Sequence, residues 1–492
     1  MQLYHSNITK NIFKNCDNFW EKIILENINW KKISWREYKN LALFYAEKLL
    51  EKNIKIWDSV VIFVKDIIDF SAWSLAVLLV WAKIVIVEPD YSEKILKEKL
   101  EFIKPDLVII EKNLFYLLKT PFLRNISKIK KYKYLLKYSK NIILSINKKN
   151  IQINKKFKFK NIDKNLESLV VFTWWTTWNP KWVVHTLESL EIMFQRIIKI
   201  IWNKTKIFYA DLPHFVLMWI NMWVKTIIWK NNLEDRKFLK ILEKYKIDTT
   251  FSPPYRYVNF LSTDSFYHFP KTLKHILFGS APIYKSFLEK LEKNIDKETK
   301  ITCIYWMTEI LPVAFIDWRE KINTKVDWDI LWKIIDWINI EFTDDWELIL
   351  GWKWLFKKYL WWENIKKHFT WDIVEYKNWN LIMKARKKDM ILRKDYNIYP
   401  SLYEPIINSF DWIKESALVG IFDEKLQDEK IILFIEWKKI DLEKLKKVID
   451  EFAFPDKIIY IDKIPRIWRQ NKIDKNFLRD NYKNYESSYN LN

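Results

Sequence analysis

The sequence predicts an α/β protein: a large N-terminal domain of helix-covered sheets, a small β-subdomain, and a small α+β domain at the C-terminal end. Three observations predict it. Between about 30 and 110, β-branched runs alternate with helical patterns, which implies a parallel sheet covered by helices. From 326 to 383 the chain changes to short alternating runs between turns, such as Asn339 to Phe342 and Leu348 to Leu350, as a small β unit would. Beyond about 389, strand and helix patterns alternate again. At 492 residues, 49% of them hydrophobic, the chain can build two or three domains.

Taken in order, Ser34 is the expected N-cap of an amphipathic helix through about Leu50. Val60 to Val64 is a β-branched strand. The apolar run from Phe70 to Val87 contains Lys83, and a buried helix (Ser71 to Val80) followed by a strand (Ile84 to Val87) explains it better than a membrane span. Another helix leads to the strand Leu107 to Ile110. The Lys-rich stretch 111–165 reads as a peripheral connection. Leu169 to Phe172 is a buried strand, and Leu187 to Ile201 a helix. A strand ends in Gly279-Ser280-Ala281-Pro282, at the sheet edge where ligands bind in α/β folds. In the last hundred residues the expected elements are Ser416 to Val419, Ile431 to Ile435, a helix Leu442 to Phe452, and Lys457 to Ile461, with a frayed polar tail after about Asp480.

The stretch Leu169 to Thr186, LVVFTWWTTWNPKWVVHT, contradicts itself as printed. A Thr-rich loop after a buried strand suits phosphate, but backbone amides reach phosphate oxygens only where no side chain intervenes. Trp174, Trp175, Trp178 and Trp182 stand where glycines belong. The chain has 29 Trp and only 3 Gly; together they approach the ordinary glycine complement of about 34. Turns such as Asp345-Trp346-Glu347 and Asn378-Trp379-Asn380 also call for φ > 0. Most Trp are therefore read as glycines, as would result from a UGA codon rendered as Trp but decoded by the organism as Gly. Trp35, in an ordinary aromatic position, is read as genuine.

With glycine restored, FTGGTTGNPKGVVHT resembles the phosphate-binding signature of the acyl-adenylate-forming enzymes: acyl-CoA synthetases, luciferases and peptide-synthetase adenylation domains. Four further stretches resemble that family's motifs in its order, over nearly the whole chain. The resemblance implies that Thr173, Trp174, Trp175, Thr176, Thr177, Trp178 and Lys181 form the triphosphate loop. Gly279, Ala281 and Pro282 flank the adenine. In Ile301 to Glu309, ITCIYWMTE, Tyr305 stacks on adenine beside Trp306, Thr308 contacts the α-phosphate and Glu309 holds Mg²⁺. Asp372, in Thr370-Trp371-Asp372, takes the ribose hydroxyls and Arg386 makes a second ribose contact. Lys388 is the hinge between an AMP- and acyl-binding domain, 1–386, and a mobile domain, 387–492, that carries the catalytic Lys472. Ala385 and Asp395 stand where the family often has Gly. His214 lies in the acyl-pocket region and reads as a wall residue, not a base. The continuation Ile310-Leu311-Pro312-Val313 is reminiscent of long-chain acyl synthetases and of β-lactone synthetases.

The implied reaction joins a carboxylic acid, expected to be fatty, to ATP, giving acyl-AMP and pyrophosphate; the acyl group then passes to CoA. A carrier-protein thiol or a β-lactone product is the alternative. A reading from another class is a non-catalytic basic protein that binds nucleotide or an anionic surface. The net charge of +22 comes from lysines dispersed among Glu and Asp, so they read as solvated faces and nucleic acid is not an expected partner. Peripheral contact with a membrane is compatible with that charge. Two distant cysteines, Cys16 and Cys303, and the lack of an apolar leader in MQLYHSNITK lead to a cytoplasmic expectation.

Overall fold

The computed structural model describes residues 2–489 apart from 28–30, 88–92, 121, 123–129, 131, 146–150, 152, 154–155, 162, 173–181, 202, 211–215, 229–234, 255–256, 258–267, 280–282, 284, 325–328, 332, 337, 352–355, 361–364, 378–379, 394–395, 411–412, 424–427, 438–440 and 468–471. The phosphate-loop positions 173–181, His214, Ala281 and Pro282 lie outside the described residues.

The apolar runs organise the N-terminal part around two large sheets. The first has the strand order Lys358–Tyr359, Trp182–Thr186, Glu167–Phe172, Lys83–Val85, Ser59–Phe63, Leu107–Glu111, Ile142–Ser145. From Glu167–Phe172 onward its pairings are parallel. Such strands are covered on both faces, which is why SVVIF and LVIIE carry no polar alternation. The second sheet runs Lys333–Ile334, Ile310–Asp317, Lys300–Met307, His275–Phe278, Thr249–Ser252, Ile207–Ala210, Lys225–Ile228, Ile23–Asn27, Lys32–Ser34.

Between the sheets lies the helix Ile67–Val80, which touches Ser59–Phe63 of the first and Ile23–Asn27 of the second. All its residues but Phe70 are buried, as expected of a helix apolar all round. It starts four residues earlier than predicted, because Asp66 caps it by accepting the N–H groups of Ile68 and Asp69. Beside it packs Trp35–Glu51, whose Ser34 and Glu37 form a reciprocal capping box. Among the described residues no helix is long and apolar enough to cross a membrane.

The expected β-subdomain is a sheet of order Asp329–Ile330, Asn380–Arg386, Lys367–Lys377, Glu347–Gly351, Asn339–Phe342. The C-terminal α+β unit is built on Ile413–Asp423, Asp428–Trp437 and Lys457–Ile461, with the helix Pro400–Ile407 packed on the first of them.

Three expectations need correction. The stretch 111–165 is not only peripheral: Ile142–Ser145 is a strand of the first sheet, hidden in the sequence by its Lys-rich surroundings. The helix expected over Leu442 to Phe452 is only Leu442–Lys446, succeeded by a separate turn Glu451–Ala453. The tail beyond Asp480 forms the helix Tyr482–Tyr489. Tyr482 and Tyr485 pack it onto the C-terminal core, where Tyr485 meets Phe434 edge-on at 5.7 Å. Two aromatic rings outweigh the polar residues around them.

Eight described non-glycine residues have a left-handed backbone, and five are Trp: Trp57 (φ 79°), Trp81 (65°), Trp223 (68°), Trp346 (62°) and Trp371 (62°). No glycine has positive φ. A side chain in that region costs about 1–2 kcal/mol, and for a bulky one the conformation is an outlier. Trp346 occupies the turn where positive φ was expected. At Trp182 the conflict is steric. Its ring centroid lies 2.9 Å from that of Phe172, closer than packed aromatic rings sit.

Two buried histidines make stability depend on acid. His275, on His275–Phe278, is fully buried with Nε2 2.9 Å from Thr302 Oγ1; burial, helped by Lys300, lowers its pKa to about 3. His185 is lowered by burial to about 4. Both fold as neutral rings, whereas the unfolded chain takes up these protons near 6.5. Their contribution is therefore complete above about pH 6.5 and is lost as pH falls toward 4 and 3. The unfolding free energy from urea titrations between pH 7 and 4 should fall less steeply for His275→Gln than for the parent chain, by up to about 1.4 kcal/mol per pH unit.

Candidate active site

The second sheet delivers Tyr305 near the carboxyl end of Lys300–Met307. The β-subdomain delivers Asp372 and Arg386, which stand opposite each other across an antiparallel pair. Arg386 Nε lies 2.8 Å from Asp372 Oδ1, and the Tyr305 hydroxyl donates to Asp372 Oδ2 at 2.5 Å. Asp372 is wholly buried. A carboxylate there needs both a countercharge and hydrogen bonding; Arg386 supplies the first at Oδ1 and Tyr305 the second at Oδ2. Burial and the nearby carboxylate push the Tyr305 phenol well above its usual range, so it remains a donor.

Three residues past Tyr305 the chain turns back. Met307 pairs with Ile310, so Thr308 and Glu309 are the two loop residues of a hairpin. Both are held from the first sheet. His185, on Trp182–Thr186, donates from Nε2 to the Thr308 carbonyl at 2.8 Å. Tyr359, on the neighbouring Lys358–Tyr359, donates its hydroxyl to Glu309 Oε1 at 3.0 Å. His368 Nδ1 stands 3.2 Å behind that hydroxyl. Strands Glu167–Phe172 and Trp182–Thr186 pair antiparallel.

Gly279 ends its strand beneath the Trp306 indole; a Cβ there would meet that ring at 3.3 Å. The indole also packs on Phe251, with centroids 4.6 Å apart. Lys388 falls in the turn Lys387–Asp389, directly after Arg386. Its neighbour Lys387 pairs with Asp345 at 2.5 Å and Glu347 at 3.3 Å, and Glu347 Oε1 accepts the N–H of Trp371 at 2.9 Å. Lys472 stands on the C-terminal hairpin formed with Arg466–Ile467.

Of the predicted site residues, the structure thus joins Tyr305, Asp372 and Arg386, with Thr308 and Glu309 one turn away. Lys472 is placed on the separate C-terminal hairpin. His185, Tyr359, His368 and Glu347 were missed. Their partners lie far off in the chain, 123 residues in the case of His185 and Thr308, and no local spacing announces them.

Among the described residues no three His, Cys, Asp or Glu side chains gather as a metal site. One hard carboxylate, Glu309, is what Mg²⁺ needs when nucleotide phosphates and water supply the other ligands; the donor set fits Mg·nucleotide.

Removing Arg386 would strand a buried charge. Arg386→Ala should destabilise the chain by about 3 kcal/mol, read as a shift in denaturation midpoint. Arg386→Ala combined with Asp372→Ala should recover most of that loss.

A 2-succinylbenzoate–CoA ligase of Listeria monocytogenes serotype 4b (strain F2365) is 21% identical over 346 residues, 65% of this chain and 71% of that protein. A shorter stretch, 23% of this chain and 25% of the relative, is 22% identical to a putative long chain fatty acid–CoA ligase of Staphylococcus haemolyticus (strain JCSC1435). The fold matches that of the o-succinylbenzoate CoA synthetase of Bacillus subtilis in complex with its acyl-adenylate intermediate, with a TM-score of 0.75 at 16% identity over 96% of this chain and 98% of that one. The AMP-binding enzyme model matches residues 12–344, well over half of the sequence, and the chain belongs to that family.

Proposed function

We propose a two-step course for this AMP-forming acid–CoA ligase. The observation that carries it is the Tyr305–Asp372–Arg386 cluster one turn from Thr308 and Glu309, at the carboxyl edge of the second sheet. Asp372 and Arg386 exchange part of their mutual bonding for the ribose hydroxyls of ATP. Tyr305, beside the strand end at Gly279, offers a face to the adenine. The carboxylate of the acid attacks the α-phosphate, and pyrophosphate leaves. Two anions must meet, so charge neutralisation matters more than proton transfer. Thr173, Thr176, Thr177 and Lys181 hold the phosphates, Thr308 the α-phosphate, and Lys472 bridges the two reacting groups as a mobile point charge. Glu309 would hold Mg²⁺, which would supply further positive charge.

The unit 387–492 then turns about Lys388 relative to 1–386, withdrawing Lys472 and admitting a thiol, that of CoA or of a carrier protein. The acid is apolar. Phe208, Phe251, Leu277 and Ile304 form a buried apolar body beside Trp306, and relatives named for a fatty and for an aromatic acid both match this chain. A fatty acid remains the proposed substrate.

The phosphate loop works only with bare backbone, so glycine is proposed at 174, 175, 178 and 182 and at most other Trp positions. The left-handed φ of five Trp and the ring crowding at Trp182 support this. So does the Trp306 indole, which fills the space over Gly279.

Three measurements test the proposal. Pyrophosphate exchange into ATP should depend on an added apolar acid; a panel of aliphatic and aromatic acids names it, and absence of exchange with all of them defeats the ligase reaction. Lys472→Ala should lower acyl-AMP formation by more than about a hundredfold, a loss of some 2.7 kcal/mol in the barrier, yet largely spare thioester formation from supplied acyl-AMP. Equal loss of both steps would speak against the domain turn. Peptide sequencing of the protein from its native cells should read glycine at 57, 81, 223, 346 and 371.

A further inference from the structure

Tyr359 belongs to none of the motifs, yet it joins two parts of the site. Its main chain lies opposite Val183 on the strand that leaves the phosphate loop. That pairing is tight: Lys357 N–H donates to the Val184 carbonyl and Leu360 N–H to the Trp182 carbonyl, both at 2.8 Å. Its side chain crosses to the other sheet and donates to Glu309 Oε1 at 3.0 Å. One residue therefore sets the distance between the loop exit and the carboxylate on the Thr308–Glu309 turn.

The contact is enclosed. Tyr359, His368 and Glu309 are all buried. Phe356 packs on the Tyr359 ring at 4.7 Å and edge-on to His368 at 5.6 Å, and its N–H donates to the Glu309 carbonyl at 3.3 Å. The Tyr359 hydroxyl carries one proton. That proton goes to Glu309. His368 Nδ1, at 3.2 Å from the same oxygen, must then be the donor to it. The chain of bonds runs His368 Nδ1–H to Tyr359 O–H to Glu309 Oε1, each link polarising the next.

We propose that Tyr359, held by His368, is a positioning residue that fixes the Glu309 carboxylate for Mg·ATP beside the strand Trp182–Thr186. This rests on the reading of Glu309 as the Mg²⁺ ligand. A glutamate at a hairpin tip has three side-chain torsions, and a ligand free to rotate binds metal poorly; outer-shell partners of this kind are worth about 10–100-fold in metal affinity.

Calorimetric titration with Mg·ATP, with ATP in chelator and with AMP tests it, because AMP binding needs the ribose cluster but no metal. Tyr359→Phe should weaken Mg·ATP at least about tenfold and leave AMP unchanged. His368→Phe should lose part of the same affinity, and His368→Asn, whose amide N–H can replace Nδ1–H, should restore it. AMP binding also certifies that each variant is folded. Unchanged Mg·ATP affinity in Tyr359→Phe, or equal losses for AMP and Mg·ATP, overturns the proposal. A parent chain that binds AMP but gains nothing from Mg²⁺ overturns the Glu309 reading beneath it, and the proposal with it.

Discussion

A carboxylate with no exposure to water, Asp372, stands where the β-subdomain meets the second sheet. Burying such a charge costs several kcal/mol unless it is paired and hydrogen-bonded. The pairing comes from Arg386 at the end of the subdomain, and the hydrogen bond from Tyr305 on the second sheet. The cost of leaving Asp372 alone therefore locks the subdomain to the sheet edge. It also fixes the turns that come next in the chain: Thr308–Glu309 beyond Tyr305, and Lys387–Asp389 beyond Arg386. Both turns thus depend on the same buried charge.

A second constraint is steric. The strands Glu167–Phe172 and Trp182–Thr186 pair antiparallel, and in the proposed reading the stretch between them holds phosphate with amide groups. Amide groups come that close only where the backbone carries no side chain. The same requirement recurs in the turns at Trp346 and Trp371, whose backbones adopt the conformation that glycine accepts and an indole resists. Trp371 sits beside Asp372 and gives its N–H to Glu347, which also holds Lys387. Asp372, the turn at Trp371 and Lys387 are consequently one connected assembly.

Parts of this were legible in the chain and parts were not. The helix from Trp35 was visible because Ser34 and Glu37 are three residues apart and cap each other. The strands of the parallel sheets were visible because burial on both faces leaves continuous β-branched runs. Tyr305, Thr308, Glu309, Asp372, Arg386 and Lys472 could be named as candidates because each sits in a short stretch that resembles a family motif, and of these the fold joins Tyr305, Asp372 and Arg386. The strand Ile142–Ser145 was obscured by the lysines around it, and the helix Tyr482–Tyr489 by its polar residues, although Tyr485 anchors it.

What the sequence by itself determined is whatever depends on neighbours in the chain: periodicity, caps, turn residues, and the order of motifs that marks an AMP-binding enzyme. The tertiary structure alone decided which groups meet across long separations. His185 grips the Thr308 carbonyl, Tyr359 and His368 stand behind Glu309, and Glu347 spans Trp371 and Lys387. Those contacts exist because two sheets pack about one buried helix and bring strand ends together. The reason is physical: a hydrogen bond between distant residues leaves no periodic trace, since only the closed fold brings its two ends within about 3 Å.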